Sequence, residues 1–503
     1  MKQTKRILAG IFSVMLAASG MVLPASAQTE PEYFGDVTGD KTLSVEDVVL
    51  LQKHLLGLAS VSAFHADMNV DAAVDAYDLA ILKKCLLTGD WWEMKLEWQE
   101  ADWNEAVIAE CDAGLPSQGT GNLVIFYVDF PDCRYTTDFT EEQLEQFAFG
   151  GRDESNPCYP FESMSAFYGR SSKGALDLNG TVLRYTAKEN QAVYDNDKVK
   201  IVKECYEAFK DSVDFSQYDG DSDGKIDATL ITVPTAAGDD AWWPCAGGFG
   251  DPQYTVDGKT LGHLITGNAE VVSPEDYKNF NSSYLHEMGH CMGLPDYYLY
   301  DSEDYEAFHG DAGSELMDAD AYSDFGCFSK LMLGWYRQDQ VAVYDAAQGS
   351  RTFLLNNAQS SDGNCVIIPY GTLDAQYFSE YFILEYVTPE GNNYGLPRDR
   401  WWEPIGTGIR VYHVKADLQR DYWWTFLKYQ NGSEYCGGND DGIRLIRLVG
   451  DGEGVFTTGD VISSSTAGFG WYDASENESI DPSVTITIGE LVNGQYSVTI
   501  ANQ

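Results

Sequence analysis

Two histidines four residues apart, with a glutamate beside the first, are the residues best placed to do chemistry: His286-Glu287-Met288-Gly289-His290. On a helix, positions four apart share a face, so both imidazoles can reach one ion while Glu287 projects beside them toward a water molecule. The chemistry such a set performs is zinc-assisted hydrolysis, with the glutamate as the base that takes the proton of water. A third ligand is required. Gly293 and Pro295 end the helix within a turn, and the reversal they impose predicts that Asp296 returns to the metal. His309 is the rival for that place, in a stretch with no periodicity to fix its geometry. Hydrolysis of a carbonyl compound also needs a hydrogen-bond donor for the developing oxyanion. Tyr298 and Tyr322 are the candidates, and the sequence does not choose between them.

A different ligand spacing recurs elsewhere. Asp36-x-Thr38-x-Asp40-x-Thr42, closing at Asp47, is echoed by Asp67-x-Asn69-x-Asp71-x-Ala73, closing at Asp78, at an offset of 67 − 36 = 31 residues. Oxygen groups at loop positions 1, 3, 5 and 12, with a backbone carbonyl at 7, surround calcium. Each loop runs into a helix-like segment, Val48–Leu56 and Leu79–Leu87. A third acidic loop, Asp219-x-Asp221-x-Asp223-Gly224-Lys225-Ile226-Asp227, has Gly224 for a sharp turn and the Lys225 carbonyl to complete a shell. The bland alternatives are an acidic surface hairpin for the repeat and a solvated Asp-Gly turn for the third loop. The metal expectation is one zinc, two calcium ions in the repeat and one calcium in the third loop.

Charge points the same way. The 503 residues carry 32 Lys and Arg against 79 Asp and Glu, a net charge of −47 that repels nucleic acid and anionic lipid and leaves calcium as the natural counter-ion. Lys2, Lys5 and Arg6 precede an apolar run from Ile7 to Leu23, and Ala25-Ser26-Ala27 follows as a cleavage pattern. Residues 1–27 therefore read as a signal peptide and the protein as secreted and extracellular, and with no later run of about 18 apolar residues, membrane insertion is not expected. The ten cysteines form no CxxC pair, which argues against a zinc knuckle.

Around these sites the chain reads as an α+β protein in several parts. After 1–27, residues 33–90 hold the calcium repeat and should be a small all-α module. Residues 91–117, rich in Trp and acids, connect it to a domain over 118–340, and 341–503 form a β-rich region. Asn122–Val128 and Thr229–Val233 read as buried strands, Tyr159–Tyr168 as a helix, and Leu176–Val182 as a hairpin around Asn179-Gly180. Phe382–Val387 and Ile409–Val414 alternate as strands, with His413 and Glu385 a satisfied structural pair. The connecting segment reads as a tether, although Cys111-Asp112 offers groups able to cap a zinc ion.

Two loop–helix copies in about sixty residues resemble a dockerin, with Asp rather than Glu at position 12 and Lys41 and Ala72 where an ordinary EF-hand has Gly. That resemblance, over 33–90, implies a cohesin domain of a scaffoldin as partner and attachment to a cellulosome-like complex. Residues 118–450 resemble the immune inhibitor A-like metallopeptidases. The features that carry this are Gly119-Thr120 leading to Val128-Asp129-Phe130-Pro131-Asp132, Phe167-Tyr168 before Gly174, the run from His286 to Tyr298, and Lys330-Leu331-Met332-Leu333-Gly334-Trp335. The family implies a metzincin-like zinc peptidase fold and secreted endopeptidase activity on a protein or peptide substrate. Glu287 would then be the base, and Met317, in Ser314-Glu315-Leu316-Met317-Asp318, the structural methionine beneath the zinc. Cys291 beside a ligand and Tyr297 where an acid is common depart from the pattern. Two further readings stay open: a non-catalytic cohesin-binding adaptor, and a carbohydrate-active cellulosomal component using two opposed carboxylates.

Overall fold

From Gly121 to Val128 every residue is buried, so this run packs on both faces rather than one, as an interior strand of a parallel sheet must. The structure, a computed structural model, describes residues 35, 37, 38, 44–59, 61, 66, 74, 76–88, 114–270, 274–298, 313, 315–318, 323–393, 406–420, 425–429, 443–450, 455–475 and 477–503. They fall into two units: a small one holding the helices before residue 90, and a large one holding everything from residue 114 onward.

The small unit consists of α1 (Val45–Leu55) and α2 (Ala76–Thr88). Ser44 caps α1 in a capping box with Asp47, the pattern that starts a helix where an acidic loop ends. Its core is slight: Val37, Val48, Leu51, Ala66 and Leu82.

In the large unit this buried, interior strand is β1 (Gly119–Asp129). It is followed by α3 (Glu141–Phe149), α4 (Met164–Ser171), β2 (Leu176–Thr186), α5 (Lys198–Phe209) and β3 (Lys225–Val233). Next come the short α6 (Asp239–Trp242), β4 (Cys245–Gly248), β5 (Thr260–Asn268) and the long α7 (Pro274–Cys291). The strand order is β2-β1-β3-β5-β4, parallel except for β4, which runs antiparallel to β5 at the edge. Leu123, Ile125 and Tyr127 face a core shared with α3, α4 and α7, whereas Val124, Phe126 and Val128 face one shared with α5. Helices thus cover both faces. The helix expected at Tyr159–Tyr168 begins at Met164, where the Ser163 hydroxyl accepts from the Ala166 N–H. Leu176–Val182 is no hairpin but part of one eleven-residue strand, β2, parallel to β1. Gly180 sits there because a Cβ would run into the Leu123 carbonyl and the Phe149 ring, so it answers a close approach and not a turn.

After α8 (Cys327–Met332) the described elements are strands apart from three short 3-10 turns: β6 (Val341–Val343), β7 (Arg351–Asn356), β8 (Cys365–Pro369), β9 (Glu380–Val387), β10 (Gly408–Lys415), β11 (Leu418–Arg420), β12 (Thr425–Leu427), β13 (Ile446–Leu448), β14 (Val461–Ile462), β15 (Trp471–Tyr472), β16 (Glu478–Ile480), β17 (Val484–Val492) and β18 (Gln495–Asn502). The sheet β13-β10-β9-β8-β6 is a shared wall. Phe382 and Leu384 point into a core with the sheet β14-β17-β18-β7, while Tyr381 and Ile383 enter the core that holds α7. The register places Glu385 opposite Arg410 and His413 opposite Phe382, so the expected His413–Glu385 pair does not form. His413 instead lies between Glu380 and Glu478, each at 3.0 Å. Among the described residues no helix is long and apolar enough to cross a membrane.

Candidate metal centre

Helix α7 carries the motif, and the way it stops decides the geometry. The Leu294 N–H donates to the Gly289 carbonyl and the Gly293 N–H to that of His290, a glycine-terminated end with Gly293 at φ +95°. The chain turns back there, and Asp296 arrives buried between the histidines, its Oδ1 2.9 Å from His286 Nε2 and 3.2 Å from His290 Nε2. The donor atoms of the three residues lie within 4.8 Å of one another.

The other ring nitrogens fix the tautomers. His286 Nδ1 lies 2.8 Å from the Leu316 carbonyl oxygen, and His290 Nδ1 2.8 Å from that of Leu294. A carbonyl only accepts, so each Nδ1 donates, and each neutral ring turns its Nε2 lone pair toward the Asp296 carboxylate. In the protonated form each ring donates through Nε2 instead and, against the effect of burial, holds the Asp296 carboxyl well below the usual carboxylate range. Three electron-pair donors converging in a buried place need a cation, and two imidazoles with one carboxylate suit zinc with a position left open.

Glu287 is 7% exposed and does not belong to this donor set. Its carboxylate adds to burial in pushing up the thiol pKa of Cys245, which puts it near the edge strand β4. Cβ atoms placed on Gly247 and Gly248 of β4 would meet nothing within 4 Å, leaving room beside that edge. The Tyr298 ring stacks on His286 with centroids 6.2 Å apart. Met317 is fully buried, and its sulfur would lie 2.5 Å from a Cβ on Gly289, so the glycine between the two histidines is the seat of the methionine. Tyr322, His309, Cys111 and Asp112 lie outside the described residues.

Sequence reasoning assigned no role to Glu315. Its buried carboxylate accepts from the Met317 N–H at 2.5 Å, the Gly326 N–H at 3.1 Å and the Ser329 hydroxyl at 2.7 Å, and burial pushes its carboxyl up to about 7. The one hint was its place inside the Met317 run. Ser329, fourteen residues on, gave none.

The third acidic loop brings Asp219, Asp221 and Asp227 together but not Asp223, whose Oδ1 accepts from the Lys225 N–H. Lys225 opens β3 and pairs with Asp223 at 3.5 Å. Asp227 accepts from the Asn122 and Gly220 N–H groups, and burial pushes it up to about 7. Asp219 Oδ2 takes the Lys259 ammonium at 2.5 Å, while its Oδ1 is buried with no hydrogen-bond partner. That orphaned oxygen fits a further cation. In the small unit, Thr38 donates through both N–H and hydroxyl to Asp47 Oδ1, so loop positions 3 and 12 of the first copy meet, and Asp78 is buried at the start of α2. Asp36, Asp40, Thr42, Asp67, Asn69, Asp71 and Ala73 lie outside the described residues.

Residues 34–87 match the dockerin type I domain model. Over 225 residues the chain is 26% identical to Immune inhibitor A of Bacillus thuringiensis subsp. alesti, covering 35% of this chain and 32% of that protein. The chain thus spans about a third of the length of the curated relative it matches. The helices of the small unit are those of a dockerin type I domain, and the chain carries a weak likeness to Immune inhibitor A.

Proposed function

We propose that the chain is a secreted zinc-dependent endopeptidase of metzincin-like fold, carried on a scaffoldin by calcium-dependent binding of its dockerin to a cohesin. The observation that carries the peptidase reading is the convergence of two imidazole lone pairs, each ring locked by a carbonyl at Nδ1, on the buried Asp296 carboxylate. His286, His290 and Asp296 hold the zinc. When bound, the ion supplies a Lewis acid that brings the pKa of water toward about 7 and polarises the scissile carbonyl.

The rest is done by this chain's own residues. Glu287 takes a proton from the attacking water and passes it to the leaving amine, one residue serving as base and then acid. The edge of β4, which no strand among the described residues pairs, offers backbone groups to an extended peptide, which adds as a further strand beside the helix that carries Glu287. Tyr298 is near enough to His286 to serve as oxyanion donor, with Tyr322 the alternative. A calcium ion held by Asp219, Asp221 and Asp227 braces the loop that opens β3. On the dockerin, the exposed Val45, Val49 and Leu56 lie along α1 at spacings of four and seven, an apolar stripe suited to a cohesin surface.

The test is Glu287→Gln, assayed for zinc content and for turnover of casein beside xylan and cellulose. Retained zinc with casein turnover lowered by about 10²–10⁴-fold is expected. Undiminished casein turnover in a zinc-loaded variant removes Glu287 as the base, and xylan or cellulose turnover by the parent with none on casein favours a carbohydrate-active enzyme.

A further inference from the structure

We infer that Glu315 is a positioning residue for the metal centre: its buried carboxylate holds the turn that presents the Leu316 carbonyl to His286 Nδ1 and seats Met317 under Gly289. The inference rests on the zinc reading above and concerns a residue that touches neither the proposed metal nor a substrate.

The two histidines are anchored by different means. His290 Nδ1 is held by the Leu294 carbonyl, four residues away, which the glycine-terminated helix end delivers by local geometry. His286 Nδ1 is held by Leu316, thirty residues away, so something must bring that turn to the helix and keep it there. Glu315 does this from one carboxylate. Oε2 accepts from the Met317 N–H and closes the turn on itself, while Oε1 accepts from the Gly326 N–H and the Ser329 hydroxyl and ties the turn to the start of α8. The same Ser329 oxygen lies 2.8 Å from the Tyr297 hydroxyl, and the Tyr297 N–H donates to the Met317 carbonyl at 2.9 Å. Tyr297 follows Asp296 directly. One buried carboxylate therefore joins the segment that orients His286, the segment that delivers Asp296, and the helix behind both.

A carboxylate left in the interior is costly unless its oxygens are satisfied, and here three neutral donors satisfy it, with no ion pair among the described residues. A neutral amide at this position would turn an N–H₂ toward either the Met317 N–H or the Gly326 N–H and Ser329 hydroxyl, donor against donor. The Leu316 carbonyl would shift, and His286 would lose the hydrogen bond that fixes its tautomer and ring orientation. Partners of this kind, one step behind the ligands, typically change metal affinity by about 10–100-fold when removed.

The experiment uses the full, calcium-loaded chain and compares the parent with Glu315→Gln, Ser329→Ala and Glu162→Gln. Glu162 is also buried but is paired to Arg170 of α4, away from the Glu315 hydrogen bonds, so its variant reports loss of a buried carboxylate elsewhere in the same unit. Zinc affinity is measured by chelator competition, ligand geometry by the visible spectrum of the cobalt form, and fold by thermal unfolding. Glu315→Gln should weaken zinc by about 10–100-fold and shift the cobalt bands. Ser329→Ala should move both in the same direction by less, and Glu162→Gln should lower the melting temperature with zinc affinity unchanged. Parent-like zinc affinity and cobalt spectrum in Glu315→Gln overturn the inference. Should that variant fail to fold, the same result in Ser329→Ala overturns it. A parent chain that binds no zinc overturns the zinc reading itself, whereas a binding parent with an unaffected Glu315→Gln overturns only the positioning role.

Discussion

The two proposed metal-binding regions differ most in what surrounds their ligands. His286 and Asp296 sit inside an apolar core that runs from Leu115 to Ile446 and draws on α4, α7, α8 and one face of each neighbouring sheet. Among its described residues the dockerin has five buried core side chains, and its sequence holds two acidic loops. A core that small cannot offset the chain entropy of some sixty residues, so the binding energy of its ions is folding energy. In the large unit the apolar scaffold brings the three donors within 4.8 Å of one another. On the proposed function, metal is structure in one region and chemistry in the other.

Calcium removal is the strongest way to break this comparison. In a calcium-free buffer with zinc present, the dockerin should lose its helices and cohesin capture should vanish, while the thermal transition of the large unit persists. Dockerin helical signals that survive the loss of calcium, followed by NMR, would show a module that folds without its ions.

Next in size is Asp296. Asp296→Asn should weaken zinc by about 10²-fold or more, since each ligand carries a share of the roughly 10–16 kcal/mol of a protein zinc site. The metal-free variant should be no less stable than the metal-free parent, because an amide N–H can donate to a histidine Nε2 where the carboxylate opposes it. His309→Ala should leave zinc affinity nearly unchanged. Equal loss in both variants, read by chelator competition, would displace Asp296 as the third ligand.

A smaller effect is expected at Gly289. Its Cβ would press on the Met317 sulfur, and overpacking of this kind costs about 1–3 kcal/mol, toward the lower end because methionine is flexible. Denaturant unfolding of Gly289→Ala measures it, and an unchanged midpoint would mean that the methionine is not seated there.

The smallest concerns acid. Burial raises the Glu380 carboxyl, but His413, the Tyr472 N–H and Lys415 override it and hold the group below its ordinary range. A depressed carboxyl contributes stability that is fully present above the unfolded value of about 4.3 and is lost as pH falls through the folded one. Stability of the large unit measured below about pH 4 should therefore fall less steeply in Glu380→Gln than in the parent.

Where a pattern is local, the sequence alone specified it. Helical spacing put His286 and His290 on one face, and Gly293 with Pro295 ended α7 so that Asp296 came back, because three to six residues of backbone geometry leave few alternatives. The dockerin repeat was legible for the same reason, each loop carrying its own ligands and helix. Contacts between distant segments were not legible. Gly180 looked like a turn residue until the Leu123 carbonyl and Phe149 ring came against it, and His413 was matched to Glu385 until strand register, where each residue faces one partner only, gave it Glu380 and Glu478. Asp223 has ligand spacing, yet its carboxylate turned to Lys225. The fold also decided that Glu315, fourteen residues from Ser329, would tie a turn to a helix. Local backbone periodicity is written in consecutive residues, whereas the identity of a buried group's partners depends on which segments the packed core brings within hydrogen-bond reach.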